Sequence, residues 1–136
     1  MKTSTVVVAL VLSAAPRSYT TQSFPPPTDL VQAAKSRDAA IDKVDVPTWE
    51  RLTAAEFTTV DETGHFMTRA ERLAQFKKGK PSATPNTCTQ PKFTVFASGT
   101  AAVRRCLDGG VWWTDVWAKT SSGWQVVAIQ GTVAAR

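Results

Sequence analysis

The 136-residue sequence predicts an α+β fold: about three helices packed on one face of a curved antiparallel sheet, a cone-shaped barrel whose open end is a ligand pocket. Two patterns carry that expectation. Apolar residues recur at helical spacing in the first half of the chain, and the second half alternates apolar and polar residues between short turns. The densest of these alternating runs is Val111-Trp112-Trp113-Thr114-Asp115-Val116-Trp117-Ala118-Lys119, followed by the turn Ser121-Ser122-Gly123 and the run 124–129. Aromatic and β-branched residues suit a pleated, half-buried surface, so this stretch reads as a β-hairpin.

The elements follow in chain order. Residues 1–15 carry a lysine, an apolar run and a small-residue end, as a secretory leader does. Residues 16–27 lack periodicity and end in three prolines, which makes them an extended tether. One domain is expected over 28–136. Thr28 is the expected cap of a first helix, with Asp29 in its first turn. Leu30, Ala34, Ile41 and Val44 recur on one stripe, and Arg37 falls on that stripe too. An arginine there is either a pocket group or a stem that snorkels to the edge. Pro47 suits the start of a short helix holding Trp49 and Leu52. Residues 57–60 read as a strand, Asp61-Glu62-Thr63-Gly64 as a turn, and 65–67 as the returning strand. Thr68-Arg69-Ala70-Glu71 is a capping box, opening a helix that runs through Leu73 and Phe76 and ends at Gly79 and Pro81. After a polar loop over 80–91, residues 93–97 and 101–107 form a hairpin around Ser98-Gly99-Thr100. Asp108-Gly109-Gly110 then leads into the tryptophan hairpin.

Composition narrows the function. The formal charge of +5 is modest, and the basic residues are scattered apart from Lys77-Lys78-Lys80 and Arg104-Arg105, which points away from nucleic acid. No run approaches the roughly 20 apolar residues of a membrane span. One histidine and two cysteines are too few for a structural zinc site. No metal and no cofactor is expected.

Asp45, the run 52–57, Asp61-Glu62-Thr63-Gly64 and Thr68-Arg69-Ala70-Glu71 resemble the N-terminal half of a SnoaL-like domain. Thr114-Asp115-Val116-Trp117, Gly123-Trp124 and the run 125–129 resemble its C-terminal half. The nearest branch is the family called domain of unknown function 4440, in the nuclear transport factor 2-like superfamily, and the resemblance spans roughly residues 28–133. It implies a cone-shaped α+β barrel with a pocket and a homodimer formed through the outer sheet face. It does not fix an activity, because the superfamily includes isomerases, cyclases, hydrolases and proteins that only scaffold.

Strand alternation places Trp113, Asp115 and Trp117 on one face and Trp112, Thr114 and Val116 on the other. Alignment with ketosteroid isomerases implies catalytic roles for two carboxylates: Asp61 as general base and Asp115 as a neutral acid in an oxyanion hole. An acid flanked by two indoles would be desolvated, which favours its neutral form. Those isomerases also use a tyrosine from the first helix. The only tyrosine here is Tyr19, in the tether, and Arg37 takes its place. The bland alternatives are that Asp61 is turn chemistry, and that Asp115 is a structural carboxylate paired with Arg37 or with a tryptophan N–H. Arg37, Trp49, Phe57, Trp113 and Trp117 are the expected pocket lining for a small apolar or aromatic molecule, although aromatics at such spacing are often plain core. His65 is expected to be an exposed loop residue. If the chain is exported, Cys88 and Cys106 can form a disulfide, which would contribute about 3 kcal/mol by closing a loop of roughly 18 residues. Register counting places Cys106 nearer Phe93 than Cys88, so a bridge requires the chain to bend back. Three readings follow: an exported pocket protein, an isomerase- or hydrolase-like enzyme, and a dimeric association module. Without export, the protein would be cytoplasmic.

Overall fold

The computed structural model describes residues 25–86 and 88–135. The expected leader over 1–15, and most of the tether, lie outside the described residues. Pro25, Pro26 and Pro27 lead directly into α1 (Thr28–Lys43), whose cap position is Pro27 with no side-chain hydrogen bond. Thr28 is therefore the first helical residue rather than the cap. The stripe Leu30, Ala34, Arg37 and Ala40 is buried, and Val44, expected to continue it, instead ends the helix in the left-handed region at φ 55°.

Asp45 caps α2 (Val46–Arg51) by accepting from the Thr48 amide at 3.2 Å. β1 (Thr53–Val60) begins four residues before the expected start. β2 (Phe66–Thr68) is its short return, and α3 (Arg69–Lys77) opens on the anticipated box between Thr68 and Glu71. Four strands follow: β3 (Thr89–Val95), β4 (Ala101–Asp108), β5 (Val111–Thr120) and β6 (Gly123–Val133).

The strands form one sheet in the order β2-β1-β6-β5-β4-β3. The sheet is open, with β2 and β3 at its edges. Its pairings are antiparallel as expected, except that β1 and β6 run parallel. A parallel pair needs a long crossover. The intervening chain, α3 included, supplies it, so the sheet is mixed rather than wholly antiparallel.

The core lies between the helices and the inner sheet face, built on Leu30, Trp49, Phe57, Phe76, Trp117 and Val126. Trp49 meets Phe57 edge-on at 5.8 Å and stacks on Phe76 at 5.7 Å, which ties α2 to β1 and α3. Each such buried aromatic contributes about 1.5–3 kcal/mol through lost apolar exposure. Two irregularities aim the sheet's inner face. On β6, Trp117 pairs with Val126 but Val116 with Ala128, so Val127 is an extra residue. Strict alternation would put Val126 and Ile129 on opposite faces; the bulge turns both inward. On β3, the register slips between Lys92 and Thr89, with Gln90 at φ 52°. That slip is the bend the disulfide required. It brings Cys88 within 5.4 Å (Cα–Cα) of Cys106, and the two are bonded.

Candidate functional site

β1 and β5 deliver their inner-face residues to a common space under α1 and α3. Along β1 and into the residue that follows it, Phe57, Thr59 and Asp61 stand two residues apart and line the same space. Along β5, Trp113 and Asp115 do the same. They line a cavity of about 380 Å³ together with Arg37, Met67, Arg72, Arg104 and Ile129. The Cys88–Cys106 pair forms part of its wall.

Of the residues expected at a site, Asp61, Asp115, Arg37, Phe57 and Trp113 are brought together here. Trp49 and Trp117 are not among the lining residues. Both are fully buried in the closed core, where Trp49 packs between Phe57 and Phe76. Trp117 is held on the same face as Asp115, but the bulge opposite it packs Val126 against it instead of leaving open space.

Asp115 has a partner that neither sequence-based alternative named. It stands directly across from Arg104 on β4. Arg104 Nε donates to Asp115 Oδ2 at 2.7 Å, and Nη2 approaches the same oxygen at 2.5 Å. The other side of the guanidinium donates to Asp38 of α1, Nη1 to Oδ2 at 2.7 Å and Nη2 to Oδ1 at 2.9 Å. Burial opposes the charge on Arg104, but the Asp38 and Asp115 carboxylates more than offset it and hold the group above the ordinary arginine value. Asp115 thus faces Arg104 across β4 and β5, and not Arg37 or a tryptophan N–H. Arg104 was hidden in the doublet Arg104-Arg105. Alternation sends Arg104 inward with Ala102 and Cys106 and leaves Arg105 exposed, so period-two counting on β4 was the signal that could have found it.

Asp61 follows directly on β1 and lines the cavity. Its Oδ1 accepts from the Thr63 amide at 2.9 Å, the Thr63 hydroxyl at 2.6 Å and the His65 amide at 2.9 Å. The Thr63 hydroxyl, with the amides of the turn, holds the carboxyl below the usual aspartate value. Such a carboxylate is a poor proton acceptor. His65 is exposed, with Nδ1 3.9 Å from Asp61 Oδ2.

Arg37 is 2 % exposed. Its Cζ lies 5.9 Å from the Trp49 ring centre and 5.8 Å from that of Phe57. Its Nε has no hydrogen-bond partner among the described residues. Burial pushes its pKa down to about 10, with Asp115 opposing the shift. The cavity therefore carries one arginine held by two carboxylates and one whose Nε has no acceptor among the described residues.

Trp113 owes its position to Gly131, its neighbour across β5 and β6. A Cβ at residue 131 would stand 2.9 Å from Trp113 Cζ3 and 3.0 Å from the Glu62 amide nitrogen. Only glycine lets the indole lie against β6 beneath the 61–64 turn. Among the described residues no cluster of histidine, cysteine, aspartate or glutamate side chains could hold a metal ion, and no helix is long and apolar enough to cross a membrane.

The sequence matches no protein-family model and no curated protein. Solved structures do match. An NTF2-like protein from Cytophaga hutchinsonii superposes with a TM-score of 0.69 at 18% identity, over 76% of this chain and 94% of that one. An NTF2-like protein of unknown function in nutrient uptake from Rhodospirillum rubrum gives 0.67 at 20% identity, over 78% and 98%. The CaMKII hub of S. rosetta gives 0.69 at 17% identity, over 83% and 100%. The chain has the nuclear transport factor 2-like fold. At these identities the likeness carries the fold alone.

Proposed function

We propose that this nuclear transport factor 2-like chain is an exported small-molecule pocket protein that holds its ligand without converting it. The observation behind this reading is the cavity of about 380 Å³, which falls within the roughly 300–1,000 Å³ typical of small-ligand sites. Phe57, Met67, Trp113 and Ile129 give it apolar walls. The two carboxylates suited to acid–base chemistry are otherwise engaged. Asp61 binds its own turn, and Asp115 faces Arg104. The lining is more polar than the aromatic residues alone suggested, so an amphipathic ligand suits it better than a purely apolar one. The Cys88–Cys106 bridge supports export, since disulfides persist in oxidising compartments. Mass spectrometry of the protein released from its natural compartment, under native and denaturing conditions, tests the reading. A small organic molecule that departs on denaturation supports it. A cavity that takes up none of a library of small organic compounds overturns it.

The likeness to proteins named for association, among them the S. rosetta CaMKII hub and the C. elegans CaMKII association domain, favours a second reading, that the chain also self-associates. Trp112, Thr114 and Val116 are half-buried residues on the outer face of β5 and would form the contact. Sedimentation at micromolar concentration tests it: a dimer weakened by Trp112→Lys supports the reading, and a monomer removes it.

A further inference from the structure

We infer that the cavity receives an organic carboxylate, the anion meeting the guanidinium of Arg37 and the apolar body lying along Phe57, Ile129 and Trp113; this rests on the small-molecule reading above.

A guanidinium offers five N–H donors and no acceptor. On Arg104 that fork is occupied on both sides, by Asp38 and by Asp115. On Arg37 it is not. No described group accepts a hydrogen bond from it, and the faces of Trp49 and Phe57 hold it without offering an oxygen. The carboxylates near enough to influence it, Asp115 first, act on it only through their field: neither accepts a hydrogen bond from it, and Asp38 and the Oδ2 of Asp115 are held by Arg104. Nε is sealed from solvent, so the Nη end of Arg37 is what the cavity reaches. A buried charge without a hydrogen-bond partner is costly, and the group whose shape completes such a fork is a carboxylate.

Charge along the lining sets the ligand's valence. Asp61, Glu62 and Asp108 also line the cavity, with Arg72 as counter-charge to Asp61 and Glu62. These acids repel any anion, and a dianion such as a phosphate monoester about twice as strongly as a monoanion, whose single charge is matched by that of Arg37. The walls beyond Arg37 are the aromatic and aliphatic surfaces of Phe57, Trp113, Met67 and Ile129. The fitting ligand is therefore a compact monocarboxylate with an aryl or branched aliphatic body.

The test is calorimetric titration of the full chain with benzoate, benzamide and benzylamine. Benzoate should bind at one site, and the neutral and cationic isosteres at least about tenfold more weakly. Arg37→Gln, checked for a native spectrum, should lose that preference. Should that variant not fold, the wild-type protein provides a separate readout. Benzoate, and not benzamide, should shift the solvent-shielded guanidinium Nε–H resonance of Arg37. Equal binding of benzamide, tighter binding of benzylamine, a benzoate preference that survives in folded Arg37→Gln, or an unmoved Arg37 resonance would each overturn the carboxylate while leaving a pocket. Failure of all three probes to bind would overturn the pocket with it.

Discussion

Asp115→Asn is expected to destabilise the fold by about 2–3 kcal/mol, and the figure follows from where the charge sits. Asp115 is 2 % exposed, and the Arg104 side chain it faces is 6 % exposed. Stripping one partner from a buried ion pair costs about 3–5 kcal/mol when the remaining charge is left alone. Two features bring the value below that range. Arg104 keeps both bonds to Asp38, and an asparagine oxygen can still accept from Arg104 Nε. What disappears is the charge that makes the contact strong. Asp115→Leu, which removes the acceptor as well, should reach the full 3–5 kcal/mol or so. Combined with Asp38→Asn, the Asp115→Asn loss should exceed the sum of the single losses by about 1 kcal/mol, because the second change leaves Arg104 with no carboxylate at all. Equilibrium urea unfolding at neutral pH measures each value, read from the midpoint with an unchanged slope. Asp115→Asn within about 0.5 kcal/mol of the parent, the spread of ordinary surface changes, would refute the reasoning.

Further outcomes follow from the same contacts. Gly131→Ala should cost about 1–3 kcal/mol, because the new methyl meets the Trp113 ring and the Glu62 backbone. It should also displace the indole, seen as a changed Trp113 resonance, and an unaltered spectrum would mean the packing is slack. Removing the bridge with Cys88→Ser and Cys106→Ser should lower stability by about 3 kcal/mol for the loop of 18 residues it closes; urea unfolding that matches the oxidised parent would contradict this. The pKa of Asp61 is depressed in the folded chain, so its turn contacts are intact above the ordinary carboxylate range and lost as pH falls through the lower folded value. The Thr63 and His65 amide resonances should therefore titrate together with a midpoint below 3.8. A midpoint at or above 3.8 would restore Asp61 as a candidate base.

Local signals in the sequence located the elements well. The capping box at Thr68, the turn at Asp61 and the alternation of β5 each state a conformation within a few residues, and each stands as read. Long-range pairing was less visible. Nothing near residues 53–60 announces a parallel neighbour seventy residues on, and the bulge at Val127 has no glycine to mark it. The site shows the same division. Arg37, Phe57 and Trp113 could be chosen from periodicity, because one face of an element is a local property. Which carboxylate meets which arginine is not. Asp38 lies one residue off the buried stripe of α1, and Arg104 is sixty-six residues further along the chain. Only the register of β4 against β5 put Asp115 opposite Arg104 rather than Arg37. Trp117 was misplaced for a related reason. Sharing a face with Asp115 made it look like pocket lining, yet it stands beyond the bulge, where the sheet meets the core.

The central claim is that a ligand enters the space beneath α1 and α3, and the tryptophan indole resonances report on it directly. Trp113 lines the cavity, Trp49 and Trp117 are enclosed in the core, and Trp112 lies on the outer sheet face. Titrating the labelled full chain with benzoate should move the Trp113 indole N–H most and leave that of Trp112 in place. A titration that moves Trp112 and spares Trp113 would contradict the account.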